Sequence, residues 1–313
     1  MRAITQKSFG GPEVLELIDD APEPVPGPTQ VLVRVRATSV NPVELFVRSG
    51  AFPLLGEPPF VLGWDVSGVV EQVDPGVHRF KVGDEVYGMP YFPAAAGANA
   101  EYLVAPARQL ARKPVGISHE EAAALPLVGL TAWHALVEIA QLRPGQRVLI
   151  HGAGGGLGHI AVQLAKHLGA EVIGTASAAK HDFLRGLGAD LLIDYRTQDY
   201  TEVLRDAPVD AVLEPLGGGN AERSFGVLRR GGVLVTAVER TSTTLPELAE
   251  ESGVRFAAVG VEPDPAGLDA LTELVEAGSL RVHLQQVFPL EKLSEAHEVL
   301  AAGGVQGKLS ITV

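Results

Sequence analysis

The chain has no cysteine among its 313 residues. Disulfides, thiolate metal sites and a cysteine nucleophile are therefore excluded. Basic residues are also under-supplied, 25 against 38 acidic ones, for a net charge of −13. That balance argues against a nucleic-acid surface, which needs a clustered basic face, and against attraction to anionic membranes. No apolar run reaches the roughly 18 residues a membrane span requires. Met1 to Lys7 lacks the apolar core of a signal peptide. These absences predict a soluble, cytoplasmic protein with neither nucleic acid nor membrane as a partner.

What is present suits a globular enzyme. Hydrophobic residues make up 46% and charged ones 20%. The length predicts two domains rather than one core. The 36 glycines and 22 prolines are spread along the chain, so they read as turns.

The first 115 residues read as β structure. Val31 to Ala37 alternates, with Val31, Val33 and Val35 on one face and Arg34 and Arg36 on the other. Val66 to Val73 is a second such run, closed by Asp74-Pro75-Gly76. Lys81 to Asp84 turns into Glu85 to Gly88. Many short strands between Gly and Pro turns predict a small barrel.

From about residue 119 helices and strands alternate. Ser118 is placed to cap a helix from His119 to Ala124, and a second helix follows near Leu130 to Ala140. Arg147 to His151 is a strand, and Gly-rich residues 152–158 lead into a helix from Ile160 to Leu168. Further strands are expected at Val172–Thr175, Leu191–Ile193, Asp210–Leu213, Val233–Val235 and Arg255–Val259. This is the rhythm of a doubly wound parallel sheet, so the fold class is α/β. After Pro263-Asp264-Pro265 come a helix (Leu268 to Glu276), a strand (Gln285 to Phe288), a helix (Leu293 to Ala301) and a strand (Leu309 to Val313). The pattern alone leaves open which domain this tail joins.

Ala153-Gly154-Gly155-Gly156-Leu157-Gly158 follows a strand and opens a helix, the setting of a dinucleotide loop. Gly155 lets the backbone approach a pyrophosphate, Gly158 lets helix and strand come close, and the helix N-terminus favours the anion. Ala153 replaces the usual first glycine. At the end of the next strand NAD enzymes carry an acid for the ribose hydroxyls. Here Gly174-Thr175-Ala176-Ser177-Ala178-Ala179-Lys180-His181 offers hydroxyls and an ammonium, and the first acid is Asp182. Donors suit a 2′-phosphate, so NADPH is the expected cofactor. The spacings of His151, His159 and His167 fit no standard chelate.

With these residues assembled, the chain resembles the medium-chain dehydrogenase/reductase superfamily and, within it, the zinc-free quinone oxidoreductase branch. The likeness runs through Gly10 to Leu15, Asn41 to Gly50, Leu62 to Val70, Gly129 to Trp133, the glycine loop and Ile193 to Arg196. It implies a GroES-like barrel domain, residues 1–120 and 264–313, and a Rossmann NADP-binding domain, residues 121–263. It implies a homodimer through strand 255–259 and a small-molecule quinone or enone as partner. Asn41, Trp64 and Leu127 stand where zinc-dependent relatives have ligands, and none is a useful one. No metal is expected, and without a Lewis acid the implied chemistry is hydride donation to a quinone or an α,β-unsaturated carbonyl.

By the same resemblance Asn41 and Thr131 lie by the nicotinamide and its ribose, with Asn41 in a positioning role. Gly155, Gly156, Leu157 and Gly158 line the pyrophosphate. Ser177, Lys180 and Tyr195 surround the 2′-phosphate, Thr175 is a further cofactor-binding residue, and Lys308 reaches toward the cofactor. Phe46, Phe52, Trp64, Tyr91 and Trp133 form the acceptor pocket, and Glu44 pairs with Arg48. Thioester reductases of the superfamily carry a tyrosine proton donor where this chain has Phe52, so Tyr91 or a water is left for that task. Alternative readings are an enoyl-thioester or tailoring reductase and a non-catalytic NADPH-binding protein.

Overall fold

Alternating apolar and polar residues build the longest strand of the computed structural model, Gln30–Ser39, with Val31, Val33 and Val35 inward and Arg34 and Arg36 exposed. The structure describes residues 1–313, and the chain divides into two units. Met1–Leu130, Glu262–Gly278 and Val282–Val313 form the first; Thr131–Val261 and Ser279–Arg281 form the second.

In the first unit Gln30–Ser39 pairs antiparallel with Val66–Val73 and with Tyr102–Pro106. The sheet continues through Glu85–Gly88 to Leu110–Arg112. On its other side lies the last strand, Lys308–Thr312, antiparallel to residues 37–39 and parallel to Leu284–Pro289. The tail thus completes the barrel sheet, which the pattern had left open. Valines of three strands fill the interior with Phe80, Leu103 and Leu110. A smaller sheet joins Leu15–Ile18, Ala3–Gln6 and Phe60–Val61.

One element breaks the expected run of strands. Pro42–Ser49 is an α-helix, opened by Pro42 in its first turn and ended by Gly50 at φ 80°. Glu44 Oε1 accepts the backbone N–H of Asn41 at 3.1 Å, covering a donor that the helix start leaves bare. The helix His119–Ala123 begins as expected, with Ser118 and Glu121 capping each other.

The second unit is a six-stranded parallel sheet. Its strands in chain order are Arg147–Ile150, Glu171–Ala176, Leu191–Asp194, Val209–Glu214, Leu228–Thr236 and Arg255–Ala258. Across the sheet they lie third, second, first, fourth, fifth, sixth. Both faces are covered, so the central strands are continuously apolar: Val148, Leu149 and Ile150 are all buried. The order reverses beside the first strand, where such sheets take ligands at their carboxyl ends. The helix after the glycine loop begins at Gly156, four residues before the expected start, and runs to His167. The helix expected near Leu130 starts at Pro126 and widens into a π-helical turn at His134–Ile139.

Candidate functional site

The glycine loop explains why Ala153 is tolerated. The left-handed residue is Gly152, at φ 59°, so the conformational demand falls one position earlier. Gly158 is fixed by contact: a Cβ there would lie 2.4 Å from Gly152 O and 2.6 Å from Ala153 Cα. At Gly155 a Cβ would meet only Gly152 O, at 3.4 Å, so its outer side faces open space that an anion can enter. Gly155 is the N-cap, and Gly156 and Leu157 form the first turn of the helix, whose N–H groups have no partner within it.

The end of the second strand divides its labour. Thr175 is buried, and its hydroxyl meets His151 Nδ1 at 3.1 Å and the N–H of Gly152 at 3.3 Å. Its side chain therefore props the loop from beneath. Ser177 and Lys180 are half-exposed. The Lys180 stem crosses the loop so closely that a Cβ on Gly154 would lie 2.6 Å from Lys180 Cδ. Its ammonium sits 3.5 Å from Gly154 O, and burial lowers its pKa. Tyr195 follows the third strand, whose Asp194 is in register with Ala176; it is 60% exposed, with the Arg196 guanidinium over its ring. Thr131 is buried and Trp133 half-buried in this same unit.

At the end of the fourth strand Glu214 accepts the N–H groups of Leu216, at 2.8 Å, and Gly217, at 3.0 Å. It thereby holds the turn of three left-handed glycines at 217–219. Burial raises the Glu214 pKa against these donors.

In the first unit the ends of three strands meet in a buried polar cluster. Asn41 Nδ2 donates to Asp65 Oδ2 at 2.8 Å, and Lys308 Nζ donates to Asn41 Oδ1 at 2.6 Å and Val40 O at 3.0 Å. Asp65 also accepts Ser39 Oγ at 2.6 Å and Leu127 N–H at 2.8 Å. Glu44 lies alongside, its carboxyl pushed up to about 8 by burial and by Asp65. Asn41, Glu44 and Asp65 are wholly enclosed. Arg48 does not pair with Glu44, as the resemblance implied; its guanidinium bonds His297 Nδ1 at 2.9 Å and Gly10 O at 3.3 Å. An arginine only donates, so His297 accepts at Nδ1 and carries its proton on Nε2, which faces Glu44 Oε2 at 3.9 Å. Burial, then Arg48, lowers the His297 pKa to about 3.

The proposed aromatic wall separates into parts. Phe46 and Phe52 are exposed and adjacent, with Phe52 N–H donating to Phe46 O at 3.1 Å. Trp64 is fully buried against Val47 and Leu62, its indole N–H given to Ala94 O at 2.7 Å; it is core, not pocket lining. Tyr91 gives its backbone N–H no helix or strand partner but donates it to Gln109 Oε1 at 2.8 Å. Its hydroxyl accepts from Gln30 Nε2 at 2.7 Å. Its backbone follows Gly88, which pairs with Val66, and the neighbouring Phe92 ring lies 5.3 Å from that of Trp64, so Tyr91 sits on the Asp65 side of the sheet.

Asp65 and His297 were not foreseen. A lone carboxylate in the apolar run Val61-Leu62-Gly63-Trp64-Asp65-Val66 is the sequence trace of a buried charge. His297 carries no comparable signal.

Comparison with known proteins now bears on this geometry. Residues 27–115 match the alcohol dehydrogenase GroES-like domain family, and residues 187–311 the zinc-binding dehydrogenase family. The quinone oxidoreductase of Homo sapiens is 34% identical over 324 residues, spanning 99% of this chain and 97% of its own. The structure of the quinone oxidoreductase from Coxiella burnetii superposes with a TM-score of 0.94 at 36% identity, covering 100% of this chain and 99% of the other. That of the Escherichia coli quinone oxidoreductase complexed with NADPH gives 0.90 at 30% identity, with 100% of both chains covered.

The zinc that the second family name implies does not fit the matched positions. Asn41 turns its only metal-binding atom toward an ammonium, Trp64 is enclosed core, and Leu127 offers a backbone N–H that Asp65 already accepts. The barrel sheet, the parallel sheet in its order, the glycine loop and these full-length likenesses lead to one assignment. The chain belongs to the medium-chain dehydrogenase/reductase superfamily as a quinone oxidoreductase-like oxidoreductase.

Proposed function

We propose that this oxidoreductase uses NADPH, without a metal ion, to reduce a small quinone or a related conjugated carbonyl. The observation that carries the reading is Lys180 lying across a glycine loop with an open side at Gly155, in a chain whose second strand ends without an acid. A half-buried ammonium gains from a dianionic phosphate, and Ser177 and Tyr195 add hydroxyls on the same edge. That the E. coli relative was solved with NADPH supports the choice.

When bound, the cofactor supplies a hydride from its nicotinamide. The chain's own part is to hold and orient: Gly155, Gly156, Leu157 and Gly158 for the pyrophosphate, Ser177, Lys180 and Tyr195 for the 2′-phosphate, Thr131 toward the nicotinamide half. Exposed Phe46 and Phe52 offer flat apolar surface to a planar acceptor. Proton supply then selects the acceptor. Phe52 has no hydroxyl, so the proton comes from water or from Tyr91, whose hydroxyl accepts from Gln30 Nε2. A quinone takes hydride and is protonated on oxygen, which water does readily. The enolate left by a thioester or an enone takes its proton on carbon, more slowly from water, which puts the quinone first among the acceptors. The net charge of −13 further disfavours acceptors borne on phosphate-rich carriers.

The outer edge of strand Arg255–Ala258 is unpaired, and Phe256, Ala257 and Ala258 are half-buried. Such an edge suits pairing with a second copy of the chain, which light scattering tests as a dimer mass.

The deciding experiment measures NADPH and NADH oxidation over a panel of quinones, enones and an enoyl thioester, with and without chelator. Quinone turnover preferring NADPH and indifferent to chelator supports the reading. Preferential turnover of the thioester favours a tailoring reductase. Tight NADPH binding with no turnover makes the chain a binding protein and refutes the enzyme.

A further inference from the structure

We infer that Lys308 is a positioning residue: with Asp65 it fixes the Asn41 amide, and through it the start of the helix that presents Phe46, and it does not itself contact the cofactor. The inference rests on the function proposed above and overturns the expectation that Lys308 reaches toward the cofactor.

The argument begins with directions. An ammonium has three donors and no acceptor. Those of Lys308 face Asn41 Oδ1 at 2.6 Å, Val40 O at 3.0 Å and Asp65 Oδ2 at 3.7 Å. The side chain is 4% exposed, so no donor is left for a phosphate outside the cluster.

The two charged neighbours also dictate how Asn41 sits. Lys308 only donates and ionised Asp65 only accepts, so the oxygen of the amide must face Lys308 and its nitrogen Asp65. A flipped amide would set NH₂ against an ammonium and oxygen against a carboxylate. The second Nδ2 hydrogen points toward Glu44 Oε1, 3.5 Å away. Asn41 is the residue before Pro42, and its side chain is spent on the cluster, so Glu44 alone ties the first turn back to the Asn41 backbone. Phe46 stands one turn further along this helix, and Phe52 is bonded to Phe46 through the backbone.

The cluster joins three places far apart in sequence: the residues after strand Gln30–Ser39, the residue before Val66–Val73, and the first residue of Lys308–Thr312. Loss of the Lys308 charge would leave Asp65 buried with hydrogen bonds but no countercharge, and would free Asn41 to turn. The helix start would then shift, and acceptor placement would suffer before cofactor binding does. Misplacement on the scale of 1 Å costs about a hundredfold in rate.

The test is Lys308→Met, with NADPH affinity read from the fluorescence of the bound nucleotide and kinetics read with benzoquinone. The expected result is NADPH affinity within about twofold of wild type and kcat/KM for the quinone down by about tenfold or more. Asn41→Ala should show the same defect, and the double variant should be no worse than either single one. NADPH binding weakened tenfold with quinone kinetics otherwise intact overturns the inference, as does an additive double variant. Where the single variant fails to fold, Asp65→Asn/Lys308→Met removes both charges together. Independently, the Nζ resonance of Lys308 in lysine-labelled wild-type protein should be protected from exchange and stay in place when NADPH is added. A large shift on adding NADPH marks direct phosphate contact and sinks the idea. Wild-type protein that binds no NADPH refutes the functional reading instead.

Discussion

His151→Gln isolates one buried neutral side chain whose cost can be worked out. His151 ends the first nucleotide-binding strand and is wedged between Thr175 Oγ1 at 3.1 Å and Ser224 Oγ at 3.0 Å, with Tyr200 edge-on at 4.7 Å. Burial first, then Arg223, lowers its pKa to about 4. An unfolded histidine titrates near 6.5, so below that pH the unfolded chain binds a proton the folded one refuses. The stability from keeping His151 neutral is fully present above about pH 6.5 and is lost as pH falls toward 4. Between about pH 7.5 and pH 5 the loss integrates to about 2 kcal/mol. His297 adds a loss of the same sign, whereas Glu44, with its raised pKa, contributes one of opposite sign. The wild-type slope alone is therefore uninformative. The difference between wild type and His151→Gln cancels the other groups. Glutamine keeps polar atoms near Thr175 and Ser224 but cannot titrate. Urea unfolding should show the variant less stable at about pH 7.5, with the deficit shrinking by about 2 kcal/mol by about pH 5. A deficit that stays constant across that range would refute the idea that the ring is held neutral.

Gly158→Ala should abolish NADPH binding and lower the thermal midpoint, because the new methyl meets backbone at 2.4 Å and the helix must lift off its strand; calorimetry with and without NADPH reads both. Lys180→Ala should raise KM for NADPH by about 10- to 100-fold and leave that for NADH nearly unchanged, the loss of one charge-assisted contact; equal effects on both cofactors would remove Lys180 from the phosphate side. Glu44→Gln concerns alkaline pH. A carboxyl raised to about 8 contributes stability that is complete below its unfolded value and lost as pH climbs through 8. The variant should therefore unfold at a midpoint less dependent on pH between about 7 and 9, measured by circular dichroism.

The nucleotide-binding sheet was legible because buried parallel strands are unbroken apolar runs: Val148-Leu149-Ile150 and Ala211-Val212-Leu213 announce themselves. The strand Val66–Val73 matches its expected bounds because Asp74-Pro75-Gly76 closes it. The helix Pro42–Ser49 was missed although Asn41, Pro42, Glu44 and Gly50 all mark it. Its buried side includes Glu44 and Arg48, and a hydrophobic pattern discounts charged residues as inward-facing. The helix start at Gly156 was hidden by glycines that read as loop but are needed for close approach to Gly152 and Ala153. For the site, Lys180 followed from the chemistry of a missing acid. Lys308 is placed by residue type, and only the direction of its three donors moves it.

The strand Lys308–Thr312 carries a consequence for how the molecule is made. Ser310 Oγ bonds the carbonyl of Thr38, 272 positions earlier, and the same strand brings Lys308 to Asn41. The parallel sheet needs only a nearly continuous stretch, Thr131–Val261, so it is able to fold while synthesis proceeds. The barrel sheet must wait, residues 37–39 of its central strand unpaired on the side where Tyr102–Pro106 covers only residues 30–34, until this late segment leaves the ribosome. A chaperone or a premature partner at that open side would meet the N-terminal third of the protein already made but unsealed.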